Sequence, residues 1–299
     1  MMVVDQQAFL TRNALPLCYL EMADKWFSPA IDSIAAKQAS KQSPIVIGIN
    51  GAQGSGKTTL AEYLSLTLNA LNLNAMSMSM DDFYLTQLQR QALAGSVHPL
   101  LKTRGVPGTH DVGLLMEALA RLKGPEGHVA VPKFNKALDD PAAKQDWPIY
   151  NAPMDVIILE GWCLGVPAQD SSTLLTPINE LEANQDPQGI WREYVNQELL
   201  DDYSKIWQQL DHLIMLKAPS FDCVLQWRWQ QEKKLHDKNA KPSNSNSKLE
   251  RNAGLLSQEE VAIFIQHFER LTKHALKVLP DKCQHVFYLD EHREVVGAK

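Results

Sequence analysis

Gly51-Ala52-Gln53-Gly54-Ser55-Gly56-Lys57-Thr58 fills every fixed position of the pattern Gly-x-x-x-x-Gly-Lys-Ser/Thr, directly after an apolar run at residues 45–49. Such an octapeptide needs a buried strand to launch it and a helix to receive it. Its glycines let the backbone fold back, so that successive N–H groups face one anion. The following helix aims the positive end of its dipole at the same point. Lys57 brings a point charge to the β- and γ-phosphates of a nucleoside triphosphate, and the Thr58 hydroxyl suits magnesium. Residues Gly51, Ala52, Gln53, Gly54, Ser55, Gly56, Lys57, Thr58 and Thr59 are therefore the expected nucleotide cradle. The pattern Gly-x-Gly-x-x-Gly is absent, which argues against a dinucleotide-binding dehydrogenase.

The rest of the chain supplies the setting that this loop requires. Short apolar runs at 75–80, 156–159, 213–216 and 286–289 read as further buried strands. Helical periodicity falls between them, at 58–71, 112–122, 191–210, 221–235 and 257–279, with Ser257 and Glu260 spaced as a capping box. Strands alternating with helices predict an α/β fold, a P-loop NTPase three-layer α/β/α sandwich on a mainly parallel sheet. Residues 1–42 predict a helical N-terminal extension, and the polar stretch 236–252 a mobile loop. The whole of 1–299 reads as one domain.

Composition narrows the partners. Lys and Arg number 29 against 35 Asp and Glu, a net charge of −6, so there is no general basic surface for nucleic acid. The four cysteines, Cys18, Cys163, Cys223 and Cys283, are far apart and form no Cys-x-x-Cys pair. No run approaches the ~18 apolar residues of a membrane span. Near the start, Asp5 interrupts the dispersed apolar residues Val3, Val4, Phe9 and Leu10, so no secretory signal is expected. A cytoplasmic chain with reduced thiols is the expectation.

Three kinds of P-loop protein are open: a small-molecule kinase, a GTPase and an assembly or regulatory ATPase. A GTPase carries Asn-Lys-x-Asp for guanine. Here Asn135-Lys136-Ala137-Leu138-Asp139 places its aspartate one residue late, and ahead of the strand at 156–159. An assembly ATPase ends its metal-binding strand in Asp-Glu, whereas this strand ends in Glu160-Gly161. That ending, with Met80-Asp81-Asp82-Phe83-Tyr84 after the second strand, resembles the uridine kinase, phosphoribulokinase and pantothenate kinase group. The resemblance implies that Asp81 takes the proton of the attacking hydroxyl and that Asp81 and Glu160 join Thr58 at the metal. Asp82 remains an alternative for the active carboxylate.

A narrower resemblance follows from Lys102-Thr103-Arg104-Gly105-Val106-Pro107-Gly108-Thr109-His110-Asp111, Val131-Pro132-Lys133-Phe134, Glu160-Gly161-Trp162 and Trp227-Arg228-Trp229-Gln230-Gln231-Glu232. Together these strings resemble the D-glycerate 3-kinase family. The resemblance implies ATP and Mg2+ as cofactors and glycerate as acceptor, converted to 3-phosphoglycerate. A glycerate-like anion needs guanidinium or ammonium groups and hydroxyl partners. Arg104 and Lys133 are the candidates for its carboxylate, with Tyr84, His110, Asp111 and Trp162 beside them. The resemblance also places a lid at 221–252, from which Arg228 would bring positive charge to the transferring phosphoryl group. A nucleoside, pantothenate or sugar phosphate acceptor stays open, and so does a nucleotide-binding protein with no acceptor. Oligomeric state is not legible.

Overall fold

The computed structural model describes residues 2–125, 127–240 and 257–299. Two helices come first, α1 (Met2–Asn13) and α2 (Cys18–Lys41). Strand β1 (Ile45–Gly51) then runs through the glycine loop into α3 (Lys57–Ala70), and β2 (Ala75–Ser79) leads on to α4 (Gln87–Ser96). After α5 (Val112–Lys123) come four short pieces, β3 (His128–Ala130), β4 (Phe134–Asn135), β5 (Asp140–Pro141) and β6 (Ile149–Asn151). The order finishes with β7 (Val156–Gly161), α6 (Glu180–Gln185), α7 (Ile190–Leu200), α8 (Asp202–Trp207), β8 (His212–Lys217), α9 (Phe221–Ala240), α10 (Gln258–Val278), β9 (His285–Leu289) and β10 (Val295–Ala298).

All five strands expected from the apolar runs form. They pair in parallel in the order β9-β8-β1-β7-β2, and β10 adds an antiparallel edge beside β9. Every residue of β1 and of β7 is buried. Neighbouring residues in a strand face opposite sides, so continuous burial means that both faces of the sheet are covered. The fold is thus the expected P-loop α/β/α arrangement. Register does the rest: Glu160 of β7 lies level with Ile49 of β1 and Ser79 of β2. The carboxyl ends of these three strands therefore open at one place, the crevice where sheets of this type bind ligands.

The N-terminal helices belong to the same core. Phe9, Ala23, Phe27 and Ile34 are buried, and the Phe27 ring meets that of Phe287 at 4.8 Å. Three details depart from the periodicity. The single helix expected over 191–210 is two, broken at Asp201, where φ −90° and ψ −88° leave the helical range. The break lets Tyr203 and Ile206 turn fully inward. Helix α9 continues to Ala240, five residues past the periodic stretch. Residues 241–252, the remainder of the expected loop, lie outside the described residues. Helix α4 was not anticipated, although Thr86 and Gln89 form its capping box, as Ser257 and Glu260 do for α10. Among the described residues no helix is long and apolar enough to cross a membrane.

Burial of two histidines gives the fold a pH dependence. Burial lowers both His110 and His212 from 6.5 to about 4, and charge repulsion from the adjacent His285 adds to the effect at His212. As pH falls through 6.5 the unfolded chain takes up protons that the folded one refuses until about pH 4. Their contribution to stability is complete above pH 6.5 and is lost progressively toward pH 4. The urea unfolding midpoint is expected to fall between pH 7.5 and pH 5. A midpoint that stays level would show that neither ring is held neutral.

Candidate functional site

At the end of β1 the chain turns on residues that only glycine accommodates easily. Gly56 caps α3 at φ +90°, and Gly54 sits at φ +79° with its would-be Cβ 2.8 Å from the Cβ of Trp227. Trp227 is fully buried, and its indole N–H donates to the Glu291 carbonyl at 2.7 Å. The root of α9 is therefore seated directly on the phosphate loop, one residue before Arg228. The first turn of α3 presents Lys57, Thr58 and Thr59. Within the loop, Gln53 Oε1 and Ser55 Oγ are buried without hydrogen-bond partners. Of the two, the Ser55 hydroxyl is a donor that an anion in the loop would satisfy.

Glu160 is 3% exposed at the end of β7. Its Oε1 accepts from the Thr58 hydroxyl at 2.9 Å, and its Oε2 lies 3.9 Å from Lys57 Nζ with no hydrogen-bond partner. A buried carboxylate oxygen with an open lone pair beside a threonine hydroxyl is a donor set that fits magnesium, which takes oxygen ligands and shares them with phosphates.

After β2 a single 3-10 turn carries two adjacent carboxylates with different surroundings. Asp81 receives the Tyr84 hydroxyl on Oδ1 at 2.7 Å and Lys136 Nζ on Oδ2 at 2.9 Å. Burial alone raises its pKa, but Lys136, Lys57 and the two hydrogen bonds outweigh burial and hold the carboxyl well below the ordinary carboxylate range. Asp82 is buried and turned to the ribbon formed by β4 and β5, where Lys133 Nζ meets it at 2.6 Å and the Phe134 N–H at 3.3 Å.

The segment 102–111 is knitted into the same wall. Leu85 N–H donates to Thr109 O, Asp111 N–H to Phe83 O, and the Trp162 indole to Gly105 O at 2.8 Å. Gly105, at φ +133°, has the Phe268 ring where a Cβ would stand, 2.5 Å away. The backbone beside Arg104 is thereby fixed, and its guanidinium lies over the Phe134 ring at 5.4 Å and pairs with Asp139.

One open cleft of about 1000 Å³ collects most of these groups, among them Gln53, Gly54, Lys57, Thr58, Asp81, Tyr84, Arg104, Lys133, Glu160, Trp162 and Arg228. Arg228 stands over the Phe264 ring at 5.8 Å. His110 and Asp111 do not line the cleft. Asp111 caps α5, accepting from Leu114 N–H at 2.8 Å. His110 lies beneath Tyr84, ring centroids 4.5 Å apart, with Nδ1 2.5 Å from the Tyr203 hydroxyl. The same hydroxyl accepts from Gly108 N–H at 3.0 Å. Sequence reasoning did not single out Lys136 or Asp139, although both lie in strings it considered.

A strand, a glycine loop and a helix, with carboxylates at the ends of the two neighbouring strands, define a P-loop kinase, an ATP-dependent phosphotransferase. Comparison with known proteins agrees. The phosphoribulokinase / uridine kinase family matches residues 46–169. A Schizosaccharomyces pombe protein described as the uncharacterized kinase mug58 is 33% identical over 255 residues, 82% of this chain and 81% of its own. The chloroplastic D-glycerate 3-kinase of Arabidopsis thaliana is 33% identical over 214 residues, 68% of this chain and 44% of that longer protein. A solved D-glycerate 3-kinase from Cryptococcus neoformans shares the fold with a TM-score of 0.71 at 25% identity, covering 91% of this chain and 97% of that one. The chain belongs to the phosphoribulokinase / uridine kinase family and is similar to D-glycerate 3-kinases.

Proposed function

We propose that this kinase phosphorylates D-glycerate at its 3-hydroxyl, using ATP with Mg2+. The observation that carries the reading is the cleft itself. It joins a phosphate loop, a carboxylate near Lys57 and the Arg104 guanidinium, the set that a hydroxy-acid acceptor requires. The similarity to two D-glycerate 3-kinases supports the choice of acid.

Lys57 and the backbone N–H groups of residues 51–59 hold the β- and γ-phosphates. Thr58 and Glu160, with Asp81 nearby, would hold magnesium, which would neutralise phosphate charge. Asp81 accepts the proton of the acceptor hydroxyl as the phosphoryl group leaves ATP. Tyr84 orients that carboxylate through its hydrogen bond. Asp82 is not the base in this reading, because Lys133 and the ribbon backbone occupy it. Lys133 lines the same cleft and spends one of its three N–H donors on Asp82, so it is the second partner for the acceptor's carboxylate. Trp162 walls the cleft, and Arg228 brings charge to the transferring group from the root of α9. His110 and Asp111 shape the wall from behind.

ADP release with a panel of D-glycerate, L-glycerate, uridine, pantothenate and ribulose 5-phosphate tests the acceptor. Turnover of D-glycerate at least tenfold above the others is expected, and a different preferred acceptor would replace the reading. Arg104→Ala is expected to raise the acceptor KM by about 30-fold, equivalent to about 2 kcal/mol for one charge-assisted pair, and to leave the KM for ATP nearly unchanged. Equal rises for both substrates would show that Arg104 only scaffolds the loop.

A further inference from the structure

Three of the ion pairs around the cleft are one cation to one carboxylate: Lys57 with Glu160, Lys136 with Asp81 and Lys133 with Asp82. The fourth differs. Asp139 meets two guanidiniums, Arg90 through Oδ2 at 2.9 Å and Arg104 through Oδ1. This group of two cations and one anion carries an excess positive charge, and Arg104 faces the cleft.

The two arginines are held very differently. Arg90, on α4, is 1% exposed and fully engaged. It donates to Leu85 O at 3.2 Å, Lys102 O at 3.0 Å and Asp139 O at 2.7 Å, besides the Asp139 carboxylate. Asp139 follows Leu138 in the turn between β4 and β5, at φ +55°, a conformation that few side chains other than aspartate and asparagine adopt readily. The next residue, Asp140, accepts the Gln87 N–H at 2.8 Å and so ties the ribbon to the start of α4. Backbone held in a sparsely populated region persists where its surroundings over-determine it, and here they do. Arg104 is 30% exposed at its side chain, and Asp139 is its carboxylate partner among the described residues. A long cationic side chain at such a place keeps much rotamer freedom unless a second residue fixes it.

We infer that Asp139, anchored by Arg90, is a positioning residue that holds the Arg104 guanidinium toward the cleft, so that the triad selects an acceptor bearing a carboxylate. The proposal rests on the reading of Arg104 as the acceptor's partner. Rigid support of this kind acts on binding of the acid rather than on transfer. The vicinal hydroxyls of the acceptor are then presented to Asp81, while its carboxylate takes the remaining donors of Arg104. The excess charge of the triad is matched by the acid and by no neutral polyol.

A double-mutant cycle tests this. In Asp139→Asn the D-glycerate KM is expected to rise about tenfold, with kcat and the KM for ATP within twofold of wild type. In an Arg104→Ala background the same substitution is expected to change the KM by less than twofold, because its effect runs through that guanidinium. Equal effects in both backgrounds, or a loss of kcat comparable with the rise in KM, would overturn the proposal. A second measurement does not depend on the acceptor. Arg104 modification by phenylglyoxal, followed by peptide mass spectrometry without substrates, is expected to be several-fold faster in Asp139→Asn than in wild type. Unchanged labelling would overturn the positioning role. Absence of D-glycerate turnover in the wild type would overturn the acceptor assignment alone, and the labelling result would still decide the triad.

Discussion

Replacing Lys57 with alanine is expected to abolish phosphoryl transfer, lowering kcat/KM by about 10³-fold or more, because a fixed cation at the site of charge development is lost. The side chain begins α3 and is 13% exposed, with its ammonium 3.9 Å from Glu160 Oε2. Both features aim the charge at the loop's anion and away from the core. Affinity for ATP should weaken as well, since the β- and γ-phosphates carry most of the ligand's charge. The fold should survive, because α3 is anchored by Leu60, Ala61, Leu64 and Leu68, all buried in the turns that follow Lys57. Steady-state kinetics with a nucleotide-binding assay and a circular dichroism melt separate these effects. A variant that turns over within tenfold of wild type would remove the phosphate-loop assignment.

Asp81→Asn is expected to keep nucleotide binding and lose about 10²- to 10⁴-fold in kcat, the usual range for removing a general base. The substitution is isosteric and retains an acceptor for the Tyr84 hydroxyl. It discards the charge that Lys136 and Lys57 now balance. Asp82→Asn should be much milder in kcat and should act on stability, since that carboxylate anchors Lys133 and the β4–β5 ribbon. Measuring both variants against nucleotide affinity distinguishes them. A severe Asp82 variant beside an active Asp81 one would move the base by one residue.

The parts of the molecule that were legible in its sequence are those set by neighbours in the chain. The glycine loop, the strand before it and the helix after it are one local device, and hydrophobic runs such as 156–159 and 213–216 can only be buried strands in that company. Antiparallel β10 was not legible, because Val295-Val296-Gly297-Ala298 is too short to stand out from a loop without β9 beside it. At the site, Lys57, Thr58, Asp81 and Glu160 follow from motif spacing. The ion pairs do not. Lys136 reaches Asp81 across 55 positions and Asp139 reaches Arg90 across 49, and only the folded ribbon brings them together. Asp139 was visible only as a guanine motif out of step. Asp111 shows the opposite error: a cap and a ligand use the same carboxylate, and nothing local tells them apart.

The seat of Trp227 on Gly54 makes α9 a lever with its fulcrum on the phosphate loop. At about 1.5 Å per residue the helix end at Ala240 stands about 20 Å from that fulcrum, whereas Arg228 is the next residue along. A tilt of about 15° around Trp227 would carry the far end about 5 Å and the Arg228 backbone no more than about 1 Å. Large motion at the tip and near stillness at the arginine are then the same event. Such a tilt would leave the arginine beside the phosphate loop while the outer helix moved, so access to the cleft and placement of charge would be uncoupled by distance from one glycine.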